Sequence, residues 1–299
     1  MSANYATGGP LFDQWREKVT SGKPPVLFPV AAVDHPLRQL EIGPEIITTF
    51  GGPPGSAKTA LAMQMTFDAV ALTPSLKAVV ANVEMPPEVL LDRQLARLSG
   101  IPLRTVRYRQ FTDEHADRLA DGLAQVKALT ERIAFVRAPF DLANVAATAD
   151  ATGAELIVLD YVQRIGPPRE YADKRLGLNA VMDAVRGFAD AGCGVVVVSA
   201  VGRQKDTAGK SSYDNLTLAS FRESSELEYG TDSAYLIVRD DDGGAVLKCV
   251  KNRHGDPCDI ALAFDGDRQS FDPPDQSDGR LSAAVAAAWG GTPEGGDDW

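Results

Sequence analysis

Glu45-Ile-Ile-Thr-Thr-Phe50-Gly51-Gly-Pro-Pro-Gly-Ser-Ala-Lys58-Thr59-Ala60-Leu-Ala-Met-Gln-Met65 decides the fold. Its first six residues are mostly apolar and β-branched, its middle is glycine and proline, and its end is an unbroken run of helix formers, which predicts strand, loop and helix in that order. The loop fits G-x-x-x-x-G-K-[ST] from Gly52 to Thr59, with Ala57 where the second glycine belongs. In such a loop the backbone N–H groups wrap a β-phosphate and the helix N-terminus adds partial positive charge. The lysine reaches the β- and γ-phosphates, and the hydroxyl ligates Mg²⁺. The expected nucleotide contacts are therefore Gly52, Pro53, Pro54, Gly55, Ser56, Ala57, Lys58, Thr59 and Ala60, with Lys58 also acting in catalysis and Thr59 on the metal. Ala57 departs from the pattern by one methyl, which matters only if its backbone must be left-handed.

Outward from the loop, short β-rich runs alternate with helical ones. Strands are expected at Glu45–Phe50, Ala78–Val83, Ile133–Arg137, Glu155–Asp160 and Gly194–Ser199, and helices at Lys58–Leu72, Pro87–Leu98, Asp113–Leu129, Leu142–Ala151 and Arg175–Ala191. This is the pattern of an α/β fold with a mostly parallel sheet covered by helices. Gly194-Val-Val-Val-Val-Ser199 is apolar on both faces, as a central strand requires. After it the style changes: Ala234–Arg239, Ala245–Lys251 and Asp259–Phe264 are joined through Asp- and Gly-rich turns and read as antiparallel strands added at the C-terminal edge. Leu11, Phe12, Trp15 and Val19 share one face of a short N-terminal helix. The chain divides into an N-terminal segment over 1–29, a main domain over 30–272 and an acidic tail rich in Gly, Pro and Ala over 273–299, the last expected to be mostly disordered.

The 299 residues are 44% apolar and 24% charged, enough for a large core. Three cysteines without CxxC or Cys/His spacing argue against a disulfide framework and a structural zinc site, and with no long apolar span or signal pattern the expected setting is cytoplasmic with no membrane partner. The net charge of −11 argues at first sight against a phosphate-rich partner. Its location weakens that objection, because from Asp265 onward eight acids face only Arg268 and Arg280 and account for −6 of it.

Two acids stand where ligands of open α/β sheets bind, at C-terminal strand ends. Asp160 closes the apolar run Leu156-Ile-Val-Leu, the place for an acid beside a Mg²⁺, and Glu84 follows the strand after the phosphate-loop helix, where it can deprotonate an attacking water. Lys251 and Arg253 alternate on one face at the end of an added strand, where they can project beyond the domain. Val201 to Tyr213 is polar and glycine-containing, and sets Arg203, Lys205 and Lys210 against Asp206.

Val83-Glu84-Met85-Pro86-Pro87-Glu88-Val89-Leu90-Leu91-Asp92-Arg93, Leu156-Ile-Val-Leu-Asp160-Tyr161-Val162-Gln163, Phe221-Arg222-Glu223-Ser224 and Lys251-Asn252-Arg253-His254-Gly255 follow the phosphate loop in order. Together they resemble the C-terminal RecA-like ATPase domain of bacterial DnaB-type replicative helicases, over about Val30 to Phe271. The resemblance implies ATP and Mg²⁺ as cofactors. It makes Lys58 and Thr59 the nucleotide-loop residues, Glu84 the catalytic base, Asp160 the Mg²⁺-associated acid and Arg93 a phosphate-side arginine. Lys251 and Arg253 become a pair reaching into a neighbouring protomer's site, and Arg203, Lys205, Lys210, Arg222, Glu223 and Ser224 face single-stranded DNA. Implied partners are that DNA, further copies of the chain in a hexameric ring, and a replication initiator or loader. The amphipathic Leu11–Val19 helix resembles the linker that docks on the adjacent subunit, and the alternative is that it covers its own core.

Three departures stand out. Ala200 follows Ser199 where the family usually has glutamine, Ser225 replaces a glycine, and about thirty residues before the ATPase region are too few for the family's helical collar. Three readings follow. One is a DNA translocase or helicase driven by ATP. Another is a RecA-like ATPase that switches assembly or loads a partner without unwinding. The last is a subunit that only binds nucleotide.

Overall fold

The computed structural model describes residues 7–167, 173–202, 204–205, 211–212, 230–240 and 243–274. Its strands are β1 (Ile47–Gly52), β2 (Ala78–Asn82), β3 (Ile133–Phe135), β4 (Leu156–Asp160), β5 (Gly194–Ala200), β6 (Gln204–Lys205), β7 (Ser211–Ser212), β8 (Ser233–Arg239), β9 (Gly244–Asn252), β10 (Ile260–Asp265) and β11 (Ser270–Asp272). Its α-helices are α1 (Gly8–Thr20), α2 (Lys58–Leu72), α3 (Pro87–Ser99), α4 (Leu103–Tyr108), α5 (Ala116–Thr130), α6 (Leu142–Thr152) and α7 (Lys174–Asp190). Nine strands form one sheet in the order β11-β10-β9-β8-β1-β5-β4-β2-β3, and β6 and β7 pair by themselves.

Strand alternation builds the two core layers. Val196 and Val198 of β5, Leu156 and Val158 of β4, and Phe50 of β1 face the layer filled by α2. Val195 and Val197, Ile157 and Leu159, and Ile47 face the layer filled by α6 and α7. The runs are apolar at every position because both faces are covered, which is why their sequences lack a polar period. Helix ends follow local chemistry: Pro87 opens α3, the Asp141 carboxylate accepts from the Asn144 N–H to cap α6, and α3 ends at Gly100 with φ 68°.

The sequence expectation is corrected at β8. It pairs parallel with β1, Thr48 opposite Ser233, and antiparallel with β9, so the sheet changes sense at β9, the outer neighbour of β8, and not at β8 itself. Thr231 and Asp232 set this pairing: the Thr231 hydroxyl donates to Ile47 O at 2.9 Å, and Asp232 accepts from the Ile47 N–H at 2.9 Å. Four further elements, α4, β6, β7 and β11, were not expected. β11 is held by a reciprocal pair of bonds, Gln64 Nε2 to Phe271 O at 2.8 Å and Phe271 N to Gln64 Oε1 at 2.7 Å. α1 has no buried residue, so the alternative in which it covers its own core does not hold.

Candidate active site

The C-terminal ends of β1, β2 and β4 lie at one edge of the parallel sheet, with Asn82 opposite Asp160 in the β2/β4 register. β1 runs through Gly52 into the phosphate loop. A Cβ at Gly52 would lie 2.5 Å from Ser56 Oγ and 3.2 Å from Ile237 O, so a side chain there would have to displace the buried Ser56 hydroxyl and press on the neighbouring strand. Ala57 sits at φ 65°, ψ 25°, with its methyl packed against the core. Its departure therefore costs conformation and not space, on the order of 1–2 kcal/mol for a left-handed alanine.

Lys58 Nζ donates to Gly52 O and Pro53 O, both at 2.8 Å, and reaches Ser56 Oγ at 3.5 Å. Burial pulls its ammonium below the ordinary lysine value, against the charges of Asp160 and Glu84. Asp160 is 4% exposed, hydrogen-bonded to Thr59, and accepts from Asn82 Nδ2 at 2.6 Å. Burial pushes its carboxyl up to about 6; Glu84 adds to the rise, while Thr59, Lys58 and Asn82 oppose it. Glu84 is exposed just beyond β2. Arg93, half-buried on α3, is lowered first by burial, with Asp160 opposing and Arg107 adding to the fall.

A hydroxyl and a carboxylate in contact beside a lysine are hard oxygen donors of the kind Mg²⁺ takes. Among the described residues no three His, Cys, Asp or Glu gather into a cluster. Thr59 and Asp160 thus fit a cation shared with nucleotide phosphates better than one caged by protein alone.

The sequence reading missed Asn82, whose only signal is a polar residue inside the apolar run Ala78 to Val83. It also missed Gln163. That side chain donates to Ser199 Oγ at 2.8 Å and Ala200 O at 2.9 Å and accepts from the Ala200 N–H at 3.2 Å, so an amide from the exit of β4 meets the strand end where Ala200 has none.

The structure does not bring the basic pair to these groups. The charges acting on Lys58 and Arg93 come from Asp160, Glu84 and Arg107. Lys251 lies in β9 opposite Ala234. Arg253 follows β9, exposed and tied to Asp232. Its backbone N–H donates to Asp232 O and its guanidinium to Asp232 Oδ1, each at 3.0 Å. Asp232 is 5% exposed and also accepts from Arg186 Nη2 at 3.0 and 3.1 Å; against its burial, Arg186, the Ile47 N–H and Arg253 hold its carboxyl below the ordinary value. Arg203, Lys210, Arg222, Glu223 and Ser224 lie outside the described residues, and for Lys205 only the backbone is described, in β6.

The sequence pattern of the family described as DnaB-like helicase C terminal domain matches residues 42–273. The chain is 25% identical over 243 residues to the replicative DNA helicase DnaB of Buchnera aphidicola subsp. Schizaphis graminum, covering 77% of this chain and 51% of that protein. It is 24% identical over 234 residues to the same-named protein of Haemophilus influenzae, covering 73% and 49%. The chain thus spans about half the length of these curated relatives. Among solved structures, one described as an ATPase domain superposes with a TM-score of 0.76 at 16% identity over 91% of this chain and 100% of that one. A DnaB-like replicative helicase studied for its interactions with primase gives 0.76 and 16% over 91% of this chain and 68% of its own. At that identity the likeness is one of fold.

Proposed function

The chain belongs to the DnaB-like helicase C-terminal domain family, and from that premise we propose that it hydrolyses Mg-ATP at subunit interfaces of a ring and uses the energy to move along single-stranded DNA. The observation that carries this reading is the meeting of Lys58, Thr59, Asp160 and Glu84 at the ends of β1, β2 and β4. The loop N–H groups and Lys58 bind the phosphates, Glu84 takes the proton of the attacking water, and Arg93 faces the phosphate side. Thr59 and Asp160 would hold Mg²⁺, which when bound neutralises charge developing between the β- and γ-phosphates.

Lys251 and Arg253 of a neighbouring subunit complete the site, and Arg203, Lys205, Lys210, Arg222, Glu223 and Ser224 contact the DNA backbone without reading its sequence. The exposed face of α1, with Leu11 49%, Phe12 53%, Trp15 58% and Val19 57% exposed, docks on the next subunit. The reading extends to replication, in which a solved relative studied with primase takes part by its title, and to an initiator or loader as partner.

Ala200 favours a second reading, a nucleotide-driven assembly switch without unwinding, because its methyl cannot relay the nucleotide state to the following segment. ATP hydrolysis measured with and without single-stranded DNA, beside unwinding of a forked duplex, separates the two. DNA-stimulated hydrolysis with unwinding is expected; hydrolysis indifferent to DNA supports the switch. Glu84→Gln should lower turnover by about 10³-fold while retaining ATP binding, since general-base catalysis contributes on the order of 10²–10⁴. Near-normal turnover in that variant would remove Glu84 as the base.

A further inference from the structure

We propose that Asn82 is a positioning residue that ties the two acids of the site into one unit, an inference that rests on the reading of Asp160 as the Mg²⁺-associated acid and Glu84 as the base. Asn82 closes β2, is 6% exposed and stands opposite Asp160. One end of its amide donates to Asp160 Oδ2 at 2.6 Å. The other end accepts from two successive backbone N–H groups, Glu84 at 3.1 Å and Met85 at 2.8 Å. The amide can sit only one way round, because a carboxylate only accepts and a backbone N–H only donates. The Val83 N–H adds a parallel tie, donating to Asp160 O at 2.8 Å.

Three consequences follow from this bridge. The Asp160 carboxylate is fixed in rotation by a short, charge-assisted bond on one oxygen. The chain is forced to turn immediately after β2, which sets where Glu84 leaves the sheet. Any shift of Asp160 toward a cation pulls on the same amide that holds the Glu84 backbone, so the placement of cation and base are coupled through one side chain. Few residues could take this place. Leucine fills a similar volume but supplies neither donor nor acceptor. Aspartate keeps the acceptor for the two N–H groups but sets a second carboxylate against Asp160, where like charges repel.

The test uses the full chain with Asn82→Leu and Asn82→Asp, and Glu84→Gln as control. Binding of a fluorescent, non-hydrolysable ATP analogue is titrated with Mg²⁺, and kcat and KM for ATP are measured beside thermal melting. For Asn82→Leu we expect the Mg²⁺ half-saturation to rise and kcat to fall, each by about tenfold or more, the range for groups that orient a metal's ligands, with KM for ATP changed less than about threefold. For Asn82→Asp we expect kcat to fall similarly while the Mg²⁺ half-saturation moves the opposite way, because a second carboxylate attracts the cation. A variant that melts lower but keeps wild-type Mg²⁺ half-saturation and kcat overturns the inference and leaves Asn82 a structural residue. Should Asn82→Leu fail to fold, Asn82→Asp decides by the same criteria. If the wild-type chain turns over no ATP, or Glu84→Gln is fully active, the reading of the site fails; the Mg²⁺ titration of binding still decides the tie between Asn82 and Asp160.

Discussion

In its proposed role Asp160 meets two opposed demands, since a carboxylate that would have to be charged beside a cation lies 4% exposed in the sheet. Its carboxyl is raised from 3.8 to about 6, so folding favours the neutral form. The associated stability is present in full below about 4 and is lost as pH rises through about 6. In the presence of a chelator, Asp160→Asn should therefore stabilise the chain at pH 7.5 by up to about 3 kcal/mol and flatten the pH dependence between 4 and 6. Denaturant unfolding at pH 4 and 7.5 checks this, and a variant less stable than wild type at pH 7.5 would refute it. At this scale the sequence showed one half of the site. Lys58, Thr59, Asp160 and Glu84 are legible because each sits at a fixed offset from a strand end. Asn82 and Asp232 are not, because their meaning depends on a partner far along the chain: 78 residues separate Asn82 from Asp160 and 185 separate Asp232 from the Ile47 N–H it accepts from.

Among the elements, α2 carries the same bounds in sequence and structure because its start is fixed by the loop and its length by a run of residues without Gly or Pro that ends at Thr73-Pro74. α4 and β11 had no such signal. α4 has six residues, three of them Arg or Tyr on the surface, and β11 has three residues pinned by Gln64 from α2. The antiparallel extension was legible from its turns, but the parallel seat of β8 beside β1 depends on Thr231 and Asp232, which no local pattern reveals. α1 is the reverse case, a helix whose pattern was clear and which buries no residue against the described part of the chain, with Phe12 and Trp15 rings 5.7 Å apart on the exposed face. Deleting residues 1–22 should leave the melting temperature nearly unchanged, because no residue of α1 is buried, yet lower the oligomer mass seen by light scattering. An unchanged mass would take the docking role away from α1.

For the whole molecule, net charge says little about the site, because over half of it lies from Asp265 onward. Sheet order is more informative. Asp160 ends β4 and Arg253 follows β9, which stand on opposite sides of β1 in the order β9-β8-β1-β5-β4. The end of β9 also lies level with the start of β1, Asn252 opposite Ser233 and Ser233 opposite Thr48, whereas the phosphate loop leaves the far end of β1, so the rise of about 3.3 Å per residue over Ile47–Gly52 puts roughly 17 Å between them, beyond the reach of one arginine to a phosphate held by the loop of the same chain. The proposed head-to-tail arrangement of copies would remove that distance, because the basic side of one chain then faces the acidic side of the next, and such a contact forms a ring where its rotation closes. The ion pair of Arg253 with Asp232 fits this geometry as the hold that keeps the arginine at the chain's edge. Lys58→Ala and Arg253→Ala chains should each be inactive alone, one lacking the phosphate-binding lysine and the other the group supplied across the interface. When the two are unfolded together and reassembled in equal amounts, about a quarter of interfaces unite an intact Lys58 with an intact Arg253, and hydrolysis should return to roughly that fraction of wild type if interfaces act independently. An arginine that served its own chain's site would give no recovery, since no chain in the mixture carries both groups.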